Sequence, residues 1–341
     1  MAFNTIHQRK PMVPIGAPLM GFLEGQGRLA PLRVSYDDLL RFDGALPRTD
    51  AHGRPTHWNA VLHRPGEQED LYERLVETYQ TLTAGGRQVG HLQVAGVEFC
   101  VYGNSQPFRI KILNRINDNH DYFYIKRADA SRVYGLELEH LLSPNRISYL
   151  VDGATLVEEH IIGVPGDVFI QEPTRFGGAL NEVRLSKEFV KFNERCFVRL
   201  LGDMRAYNFV VDVIHDFDQV QYRIRSIDFD QQSHEGRVRI YLPQFYKENL
   251  PFVQFAQRVI GAETVEQYRH EERALLRRRY KLSEAVLNEL VEVLCADRIS
   301  STEQAMELAE GLGRLHGTDR FHGLKNMGEV LRAQLITCLG V

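Results

Sequence analysis

The sequence has few of the residues and patterns that mark specialised protein classes. Its four cysteines, Cys100, Cys196, Cys295 and Cys338, are far apart and form no C-x-x-C pair, which excludes a compact cysteine metal motif, and we interpret them as reduced, mostly buried thiols. No apolar run approaches the ~20 residues that a membrane span needs. The N-terminus lacks a basic stretch followed by an apolar segment. We therefore expect no membrane partner and, by default, a cytoplasmic location.

An excess of positive charge is also missing. The chain has 41 Lys and Arg against 45 Asp and Glu, a formal net charge of -4. A protein that binds nucleic acid mainly through the phosphates needs a cationic surface, so we expect no nucleic-acid partner. At 341 residues the chain exceeds a typical single domain, which predicts two lobes, each with its own core.

The N-terminal part shows little periodicity. Residues 1–67 are rich in Pro, Gly and Arg and predict an irregular extension, with at most a short helix at SYDDLLRF. In residues 68–84, by contrast, apolar residues recur on one helical face from Leu71 to Leu82, and Gly85 follows as a stop. We therefore treat residues 1–90 as an N-terminal extension that includes this helix.

From residue 91 the pattern changes to alternation typical of strands. The segments LQVAGVEFCVYGN, PFRIKILNRI and DYFYIKR are rich in β-branched and aromatic residues and are separated by turn sequences, which predicts an antiparallel meander. A helix at ADASRVYGLELEHLLS, strands at RISYLVDG and ATLVEEHII and a turn at GVPGD follow. A β-rich lobe with one inserted helix is expected over residues 91–162.

The rest of the chain is mainly helical, so the predicted fold class is α+β. We expect a helix at SKEFVKFNERCFVRLL with Ser186 as its N-cap. Capping boxes predict further helix starts at Thr264 with Gln267 and at Ser301 with Gln304. The segment LSEAVLNELVEVLCAD has the apolar spacing of an amphipathic helix.

One hairpin interrupts these helices and carries acidic residues at its ends. Residues 200–230 read LLGDMRAYNFVVDVIHDFDQVQYRIRSIDFD, and the two ends of a hairpin return to the same edge. Asn208 before the hairpin and Asp228 after it should therefore lie close together, with Asp203 on the loop that leads in. Phosphoryl transfer requires a carboxylate for the nucleophile's proton, oxygen ligands for Mg²⁺ and a cation for the phosphates. These residues fit the first two requirements.

The pattern G-D-x-x-x-x-N, followed after a hairpin by I-D-F-D, resembles the catalytic and metal-binding loops of the protein-kinase-like superfamily. LGDMRAYN looks closest to the branch that includes aminoglycoside and choline phosphotransferases. The resemblance implies that Asp203 is the catalytic aspartate and that Asn208 and Asp228 hold Mg²⁺, with Asp230 as a further metal contact. It also implies that the fixed charge of Arg205 faces the γ-phosphate of ATP.

The resemblance covers residues 91 to about 330 and implies a two-lobed kinase-like fold, with residues 91–162 as the first lobe and 163–341 as the helical second lobe. Lys126 in YFYIKR matches the lysine that contacts the α and β phosphates of ATP. Its acidic partner is implied on the next helix as Glu137 or Glu139, with a slight preference for Glu139.

Two other segments match nucleotide-binding positions of the family. The turn GNSQP takes the place of the glycine-rich loop, and EEHIIG takes the place of the segment that offers backbone groups to adenine. The residues implied are Gly103, Asn104, Ser105, Glu159, His160 and Ile161. ATP and Mg²⁺ are the implied cofactors.

The expected function is thus an ATP- and Mg²⁺-dependent phosphotransferase that acts on a hydroxyl of a small molecule or of a protein side chain. The sequence departs from the family at Leu201, where a His is common, in having one glycine in the nucleotide turn, and in reading D-F-D. Two alternatives stay open: a catalytically inactive kinase-like module that binds a nucleotide or a partner, and an enzyme that transfers AMP.

Overall fold

The computed structural model describes residues 10–50, 53–87, 90–173, 180–216 and 219–341. The chain forms two units: unit 1 comprises Met1–Ala130 and Ile147–His160, and unit 2 comprises Ser131–Arg146 and Ile161–Val341. Together their helices and strands make the protein α+β, as predicted. Among the described residues, no helix combines the length and the apolar character that crossing a membrane requires.

Unit 1 is built on one antiparallel sheet of seven strands in the order β1-β2-β3-β4-β5-β7-β6. Its strands are β1 (Gly44–Thr49), β2 (Pro55–Leu62), β3 (Leu92–Cys100), β4 (Phe108–Asn114), β5 (His120–Arg127), β6 (Tyr149–Asp152) and β7 (Thr155–Glu159). Its helices are α1 (Ala17–Gly25), α2 (Tyr36–Leu39) and α3 (Pro65–Ala84). At the β6 edge, Val151 exchanges backbone hydrogen bonds with Arg28 and Ala30. The predicted meander β3-β4-β5 is confirmed.

Alternation along the central strands separates the two faces of this sheet. On β5, Phe123 and Ile125 are buried in a core that also contains Leu71 and Leu75 of α3. Tyr124 and Lys126, which alternate with them along β5, belong to the other face. The predicted helix and its glycine stop are confirmed, because Gly85 ends α3 in the left-handed conformation, with φ 59°.

The short helix predicted at SYDDLLRF is confirmed, since α2 lies within it. The interpretation of residues 1–67 as otherwise irregular was wrong. This part of the chain contains β1 and β2. Strand β2 pairs with β3, and Trp58 of β2 lies opposite Cys100 of β3. The local pattern gives no strand signal, because β1 is exposed along most of its length and is interrupted by Pro47, where the register shifts. Strand β2 forms because β3 offers an edge to pair with, and β1 then pairs with β2, which is a tertiary effect.

Unit 2 is mainly helical and contains a small sheet in the order β10-β9-β8. Its strands are β8 (Val164–Pro165), β9 (Phe209–Asp216) and β10 (Gln219–Ser226). Its helices are α4 (Ala130–Leu142, whose first residue ends unit 1), α5 (Gly166–Gln171), α6 (Glu182–Arg199), α7 (Leu250–Val259), α8 (Ala262–Leu282), α9 (Glu284–Ala296), α10 (Thr302–His316) and α11 (Met327–Leu339). Helix α6 packs against α7, α8, α11 and β10 and so forms the centre of this unit.

Several predicted features of unit 2 are confirmed. Ser301 caps α10, since its side chain accepts a hydrogen bond from the backbone N–H of Gln304. The apolar face of α9 is buried at Leu287, Leu290 and Leu294. These elements have strong local signals, a cap or a regular apolar spacing.

Other predicted boundaries in unit 2 were wrong. Helix α6 begins before Ser186, because Asn181 accepts the hydrogen bond from the N–H of Arg184 and Ser186 is buried inside the helix. Helix α8 begins after Gly261, which places Thr264 within the helix instead of at its cap. The turn predicted at GVPGD contains β8 and the start of α5, because β8 pairs with β9.

All four cysteines are free thiols, as predicted. Cys100, Cys196 and Cys338 are buried, and burial raises the pKa of Cys196 to about 12. Because the thiolate is the reactive form, these buried side chains are poor nucleophiles.

Helices α9 and α11 approach each other closely at Gly328. A Cβ atom built at Gly328 would lie 2.4 Å from the backbone nitrogen of Cys295 and 2.6 Å from the carbonyl carbon of Leu294. Backbone atoms cannot rotate away as a side chain can. The packing of these two helices therefore depends on the absence of a side chain at this position.

We expect Gly328→Ala to destabilise the protein by about 1–3 kcal/mol, the usual effect of overpacking. The control is Gly21→Ala in α1, where an added Cβ meets nothing within 4 Å and a gain of about 0.5–1 kcal/mol is expected. Urea unfolding followed by circular dichroism measures both. Equal stability of Gly328→Ala and the wild type would contradict the close helix contact.

Candidate functional site

The β9–β10 hairpin brings Asn208 and Asp228 to one end, as the sequence predicted. The two strands pair antiparallel from Phe209 opposite Ser226 to Asp216 opposite Gln219. Beyond the last pair, the backbone N–H of Ile227 donates to the carbonyl of Asn208 at 3.0 Å. The residues on either side of the hairpin are thus fixed next to each other by backbone hydrogen bonds.

The backbone around Asp203 is held in an unusual conformation. Leu200 ends α6 in the left-handed conformation, and Gly202 and Asp203 donate backbone hydrogen bonds to the carbonyls of Gln231 and Ile240, each at 3.1 Å. Asp203 has φ 57°, a left-handed value that is uncommon for a residue with a side chain. Such conformations are held by the surrounding structure and cluster at functional sites.

The carboxylate of Asp203 lies between a cation and an amide. Arg205 Nε donates to its Oδ1 at 2.8 Å, and Asn208 Nδ2 donates to the Asp203 carbonyl at 2.8 Å and lies 3.4 Å from Oδ2. Burial raises the pKa of Asp203 more than the contacts with Arg205 lower it. The side chain is still 34% exposed. It is therefore an accessible carboxylate that is more basic than usual.

Arg205 is fixed by neighbours from the following segment. Its Nη1 donates to Glu248 at 2.9 Å, and its guanidinium lies 4.9 Å from the ring centroid of Tyr246. Nearby, the buried Asn249 donates from Nδ2 to the carbonyl of Met204 at 2.8 Å. These supporting residues carry no sequence signal that distinguishes them from ordinary polar residues.

Tyr207 reports how closely the charged groups gather. Burial raises the pKa of its hydroxyl to about 12, the charge of Arg205 opposes this shift, and the negative charges of Asp203 and Asp228 add to it. The hydroxyl therefore experiences the charges of both loops. Since Tyr207 is 48% exposed, a ligand can reach this surface.

Asp228 and Asp230 share a buried arginine that sequence reasoning missed. Arg132, on α4, donates from Nη1 to Asp228 Oδ1 and to Asp230 Oδ1, each at 2.9 Å. The Asp230 side chain is 7% exposed, whereas the Asp228 side chain is 33% exposed. An arginine within the apolar helix sequence ADASRVYGLELEHLL was a usable signal, because a buried arginine requires acceptors.

The donor set fits a metal ion that is bound together with phosphate oxygens. Asn208 donates through Nδ2 to Asp203, which leaves its amide oxygen as the group suited to a cation. Asp228 adds a partly exposed carboxylate. Among the described residues no group of three or more His, Cys, Asp or Glu side chains is arranged to hold a metal. Mg²⁺ commonly binds through one or two protein carboxylates plus substrate phosphates, so this set suits it.

In unit 1, Lys126 is paired with a residue that the sequence did not indicate. Lys126 is 6% exposed on β5, and its Nζ donates to Glu158 Oε2 on β7 at 2.7 Å. Tyr124 lies opposite Glu158 in the β5–β7 register, which places Lys126 diagonally across from Glu158 on the same face. The sequence VEEH contains two adjacent glutamates but does not indicate which strand pairs with them or which of them meets Lys126.

The two acidic candidates proposed for Lys126 lie on α4 in unit 2. Glu137 and Glu139 are 1% and 2% exposed. Glu139 forms an ion pair with the buried Arg199 of α6, whose charge lowers the pKa of Glu139 against the opposing effect of burial. Glu139 therefore already has a compensating charge within unit 2.

The predicted nucleotide turn is braced by the N-terminal part of unit 1. Gly103 has φ 91°, and Ser105 is buried. Asn104 Oδ1 accepts a hydrogen bond from the backbone N–H of Lys10 at 3.3 Å. The carbonyl of Gln106 accepts one from the hydroxyl of Tyr36. The side chain of Asn104 is thus directed toward Lys10, in the N-terminal part of unit 1.

The predicted adenine-binding residues follow β7. Glu159 ends this strand and donates its backbone N–H to Ser148 at 3.0 Å. The Nδ1 of His160 lies 3.1 Å from the hydroxyl of Tyr124, and burial lowers the pKa of His160. Ile161, the first residue of the second stretch of unit 2, is buried. An adenine contact at these residues stays a prediction.

Comparison with known proteins adds no assignment. No protein-family model matches the chain, and no curated protein matches it. Function must therefore be inferred from the chemistry of the chain's own residues.

The raised pKa of Asp203 implies that the stability of the protein depends on pH through this residue. A group whose pKa is higher in the folded than in the unfolded protein favours folding while it is protonated, and this contribution is lost as the pH rises through its folded pKa. Above its ordinary value of 3.8, the Asp203 carboxylate therefore opposes folding increasingly. We expect Asp203→Asn to be more stable than the wild type near neutral pH, with the difference shrinking toward pH 4.

Urea midpoints measured at intervals from neutral to acidic pH check this dependence. Glu289→Gln, at an exposed position on α9, is the control for removing one negative charge. If Asp203→Asn is less stable than wild type at neutral pH, the contact with Arg205 outweighs the cost of burial, and our interpretation of Asp203 is wrong.

Proposed function

We propose that the protein is an ATP- and Mg²⁺-dependent phosphotransferase with a two-lobed protein-kinase-like fold, acting on a hydroxyl of a small molecule or of a protein side chain. The observation that carries the proposal is the convergence of Asp203, Asn208 and Asp228 in unit 2. Asn208 bonds to Asp203 through its side chain and to Ile227 through its carbonyl. A basic carboxylate thus lies next to two oxygen ligands suited to Mg²⁺.

The order of elements supports the fold proposal. Strands β3, β4 and β5, helix α4 and strands β6 and β7 follow one another along the chain, and the hairpin and the helices come later. This is the order expected from the resemblance. The additional strands β1 and β2 extend the sheet beyond β3.

Each polar residue has a role in this proposal. Asp203 orients the acceptor hydroxyl and receives its proton, to which its raised pKa is suited. Arg205, fixed by Asp203 and Glu248, offsets negative charge on the transferring group. Asn208 and Asp228 would hold Mg²⁺, which when bound neutralises charge on the phosphate oxygens.

The transfer itself is a displacement at phosphorus. The acceptor oxygen forms a bond to the γ-phosphorus of ATP, and the bond from this phosphorus to the oxygen shared with the β-phosphate breaks. The proton of the acceptor hydroxyl passes to Asp203, and the products are the phosphorylated acceptor and ADP. The contribution of the protein is mainly positioning and electrostatic stabilisation.

Unit 1 contributes nucleotide binding in this proposal. Lys126 serves the α and β phosphates, and Glu158, its partner across the sheet, keeps the ammonium group oriented.

A second candidate function is a kinase-like module that binds nucleotide or a partner without transfer. The observation in its favour is Arg132, which brings a permanent positive charge to Asp228 and Asp230. Thermal shift with ATP, with and without Mg²⁺, followed by an ATP-consumption assay over a broad acceptor panel, separates the two functions. Binding without turnover supports the module, and mass spectrometry of the products would reveal AMP transfer.

Asp228→Asn should lower ATP turnover by roughly 100-fold or more, the scale for losing one preorganised electrostatic group. Its effect on stability should be small, because the side chain is 33% exposed and Asn can still accept hydrogen bonds. Asp212→Asn, on β9 opposite Arg223, removes a carboxylate from the same hairpin and should retain turnover. ADP release measures both. An unaltered rate in Asp228→Asn would remove Asp228 from the mechanism.

Asp203→Ala should retain nucleotide binding and lose transfer, because the side chain is assigned to the acceptor and not to ATP. Binding is measured by titration with a fluorescent ATP analogue, and transfer by ADP release. Loss of nucleotide binding in this variant would show that Asp203 supports the loop or the metal instead.

A further inference from the structure

Arg132 contacts every residue of the segment Ile227–Asp230. Its Nη2 donates to the carbonyl of Ile227 at 3.3 Å, and its Nη1 donates to the carboxylates of Asp228 and Asp230. Its guanidinium lies 5.9 Å from the ring centroid of Phe229. With a side chain only 2% exposed, Arg132 is built into the site and is not a surface residue that swings to it.

Helix α4 is packed so closely on this segment that Arg132 has little room to move. A Cβ atom at Gly135 would lie 2.9 Å from the Cβ of Phe229. One turn earlier, the hydroxyl of Ser131 donates to the carbonyls of Asp230 and Gln232 at 3.2 and 2.7 Å. The guanidinium position is therefore fixed by the helix that carries it.

The charge balance of this arrangement is unusual for a metal site. Two carboxylates that share a site repel each other unless a cation lies between them. Here one guanidinium nitrogen contacts both, and arginine keeps its proton under all ordinary conditions. Phosphoryl-transfer sites often meet the same need with two divalent ions.

The two carboxylates that Arg132 contacts differ in their exposure to solvent. The Asp228 side chain is 33% exposed, whereas that of Asp230 is 7% exposed. Arg132 therefore neutralises the pair from the buried side, and only Asp228 presents a face that an incoming ion can reach.

We propose that Arg132 takes the place of a second divalent ion, so that the site binds a single Mg²⁺ through Asn208 and Asp228 together with the nucleotide. Asp230 then anchors Arg132 and is not a metal ligand. Arg132 is a positioning residue that holds Asp228 in place before any ion binds. This inference rests on the proposed function.

The test counts metal ions with Mn²⁺ as the probe. Free Mn²⁺ is measured by electron paramagnetic resonance while the full-length protein, saturated with a non-hydrolysable ATP analogue, is titrated. We expect one bound Mn²⁺ per wild-type chain and a second in Arg132→Met, at least tenfold tighter than any second ion in the wild type. Arg132→Lys, which keeps the charge, and Arg223→Met, on the exposed side of the hairpin, should stay at one.

The outcomes separate the inference from the function on which it rests. Two ions in the wild type, or one in a folded Arg132→Met protein, overturns the inference and leaves the phosphotransferase proposal intact. Absence of any nucleotide-dependent Mn²⁺ binding in the wild type overturns both.

If Arg132→Met does not fold, Asp230→Asn decides the question. The inference requires that this variant keep one Mn²⁺ with an affinity within a few-fold of the wild type, because Asp230 is not a ligand. Loss of Mn²⁺ binding in a folded Asp230→Asn protein overturns it.

Discussion

The hydrogen bond from Ile227 to Asn208 closes the β9–β10 hairpin at its open end, and the rest of the candidate site depends on it. The loop that carries Asp203 precedes Asn208 in the chain. The segment that Arg132 contacts begins at Ile227. A one-residue slip of the hairpin would turn alternate side chains to the other face of the sheet and separate these groups. The backbone pairing of two strands thus sets the spacing of side chains that are distant in sequence.

Buried charges fasten the elements around this hairpin. Arg195 of α6 contacts Glu272 of α8 at 3.0 Å, and α6 is also tied to α4 by the ion pair of Arg199 with Glu139. Such pairs add little net stability over apolar packing, but breaking one leaves an uncompensated charge, at a cost of about 3–5 kcal/mol. They therefore act mainly to define which helix face meets which.

Sequence reasoning worked where the signal is local. The meander, helix α3, the apolar face of α9 and the hairpin each have a periodicity or a turn that belongs to the element itself. Asn208 and Asp228 were correctly placed at one end of the hairpin, because hairpin geometry needs no knowledge of the rest of the fold. Strands β1 and β2 could not be predicted in this way, since β2 forms by pairing with β3 and β1 by pairing with β2, and both have almost no buried face of their own.

The ion-pair partners of the charged residues could not be predicted from the sequence for a related reason. Glu158 and Arg132 are both buried, and burial of a charge is decided by elements far away in the chain. Composition and spacing show that such residues exist within apolar segments. They do not show which carboxylate meets which cation, because this depends on strand register and on helix packing.

The irregular outer strand of unit 1 also affects how this sheet meets other molecules. An open sheet edge invites strands from other chains to add to it. At β1 the ladder is interrupted by Pro47, which has no N–H to donate, and by a shift of register, while the β6 edge is occupied by Arg28 and Ala30. Both margins of the seven-stranded sheet are thereby made poor templates, which limits intermolecular β-pairing and the aggregation that follows from it.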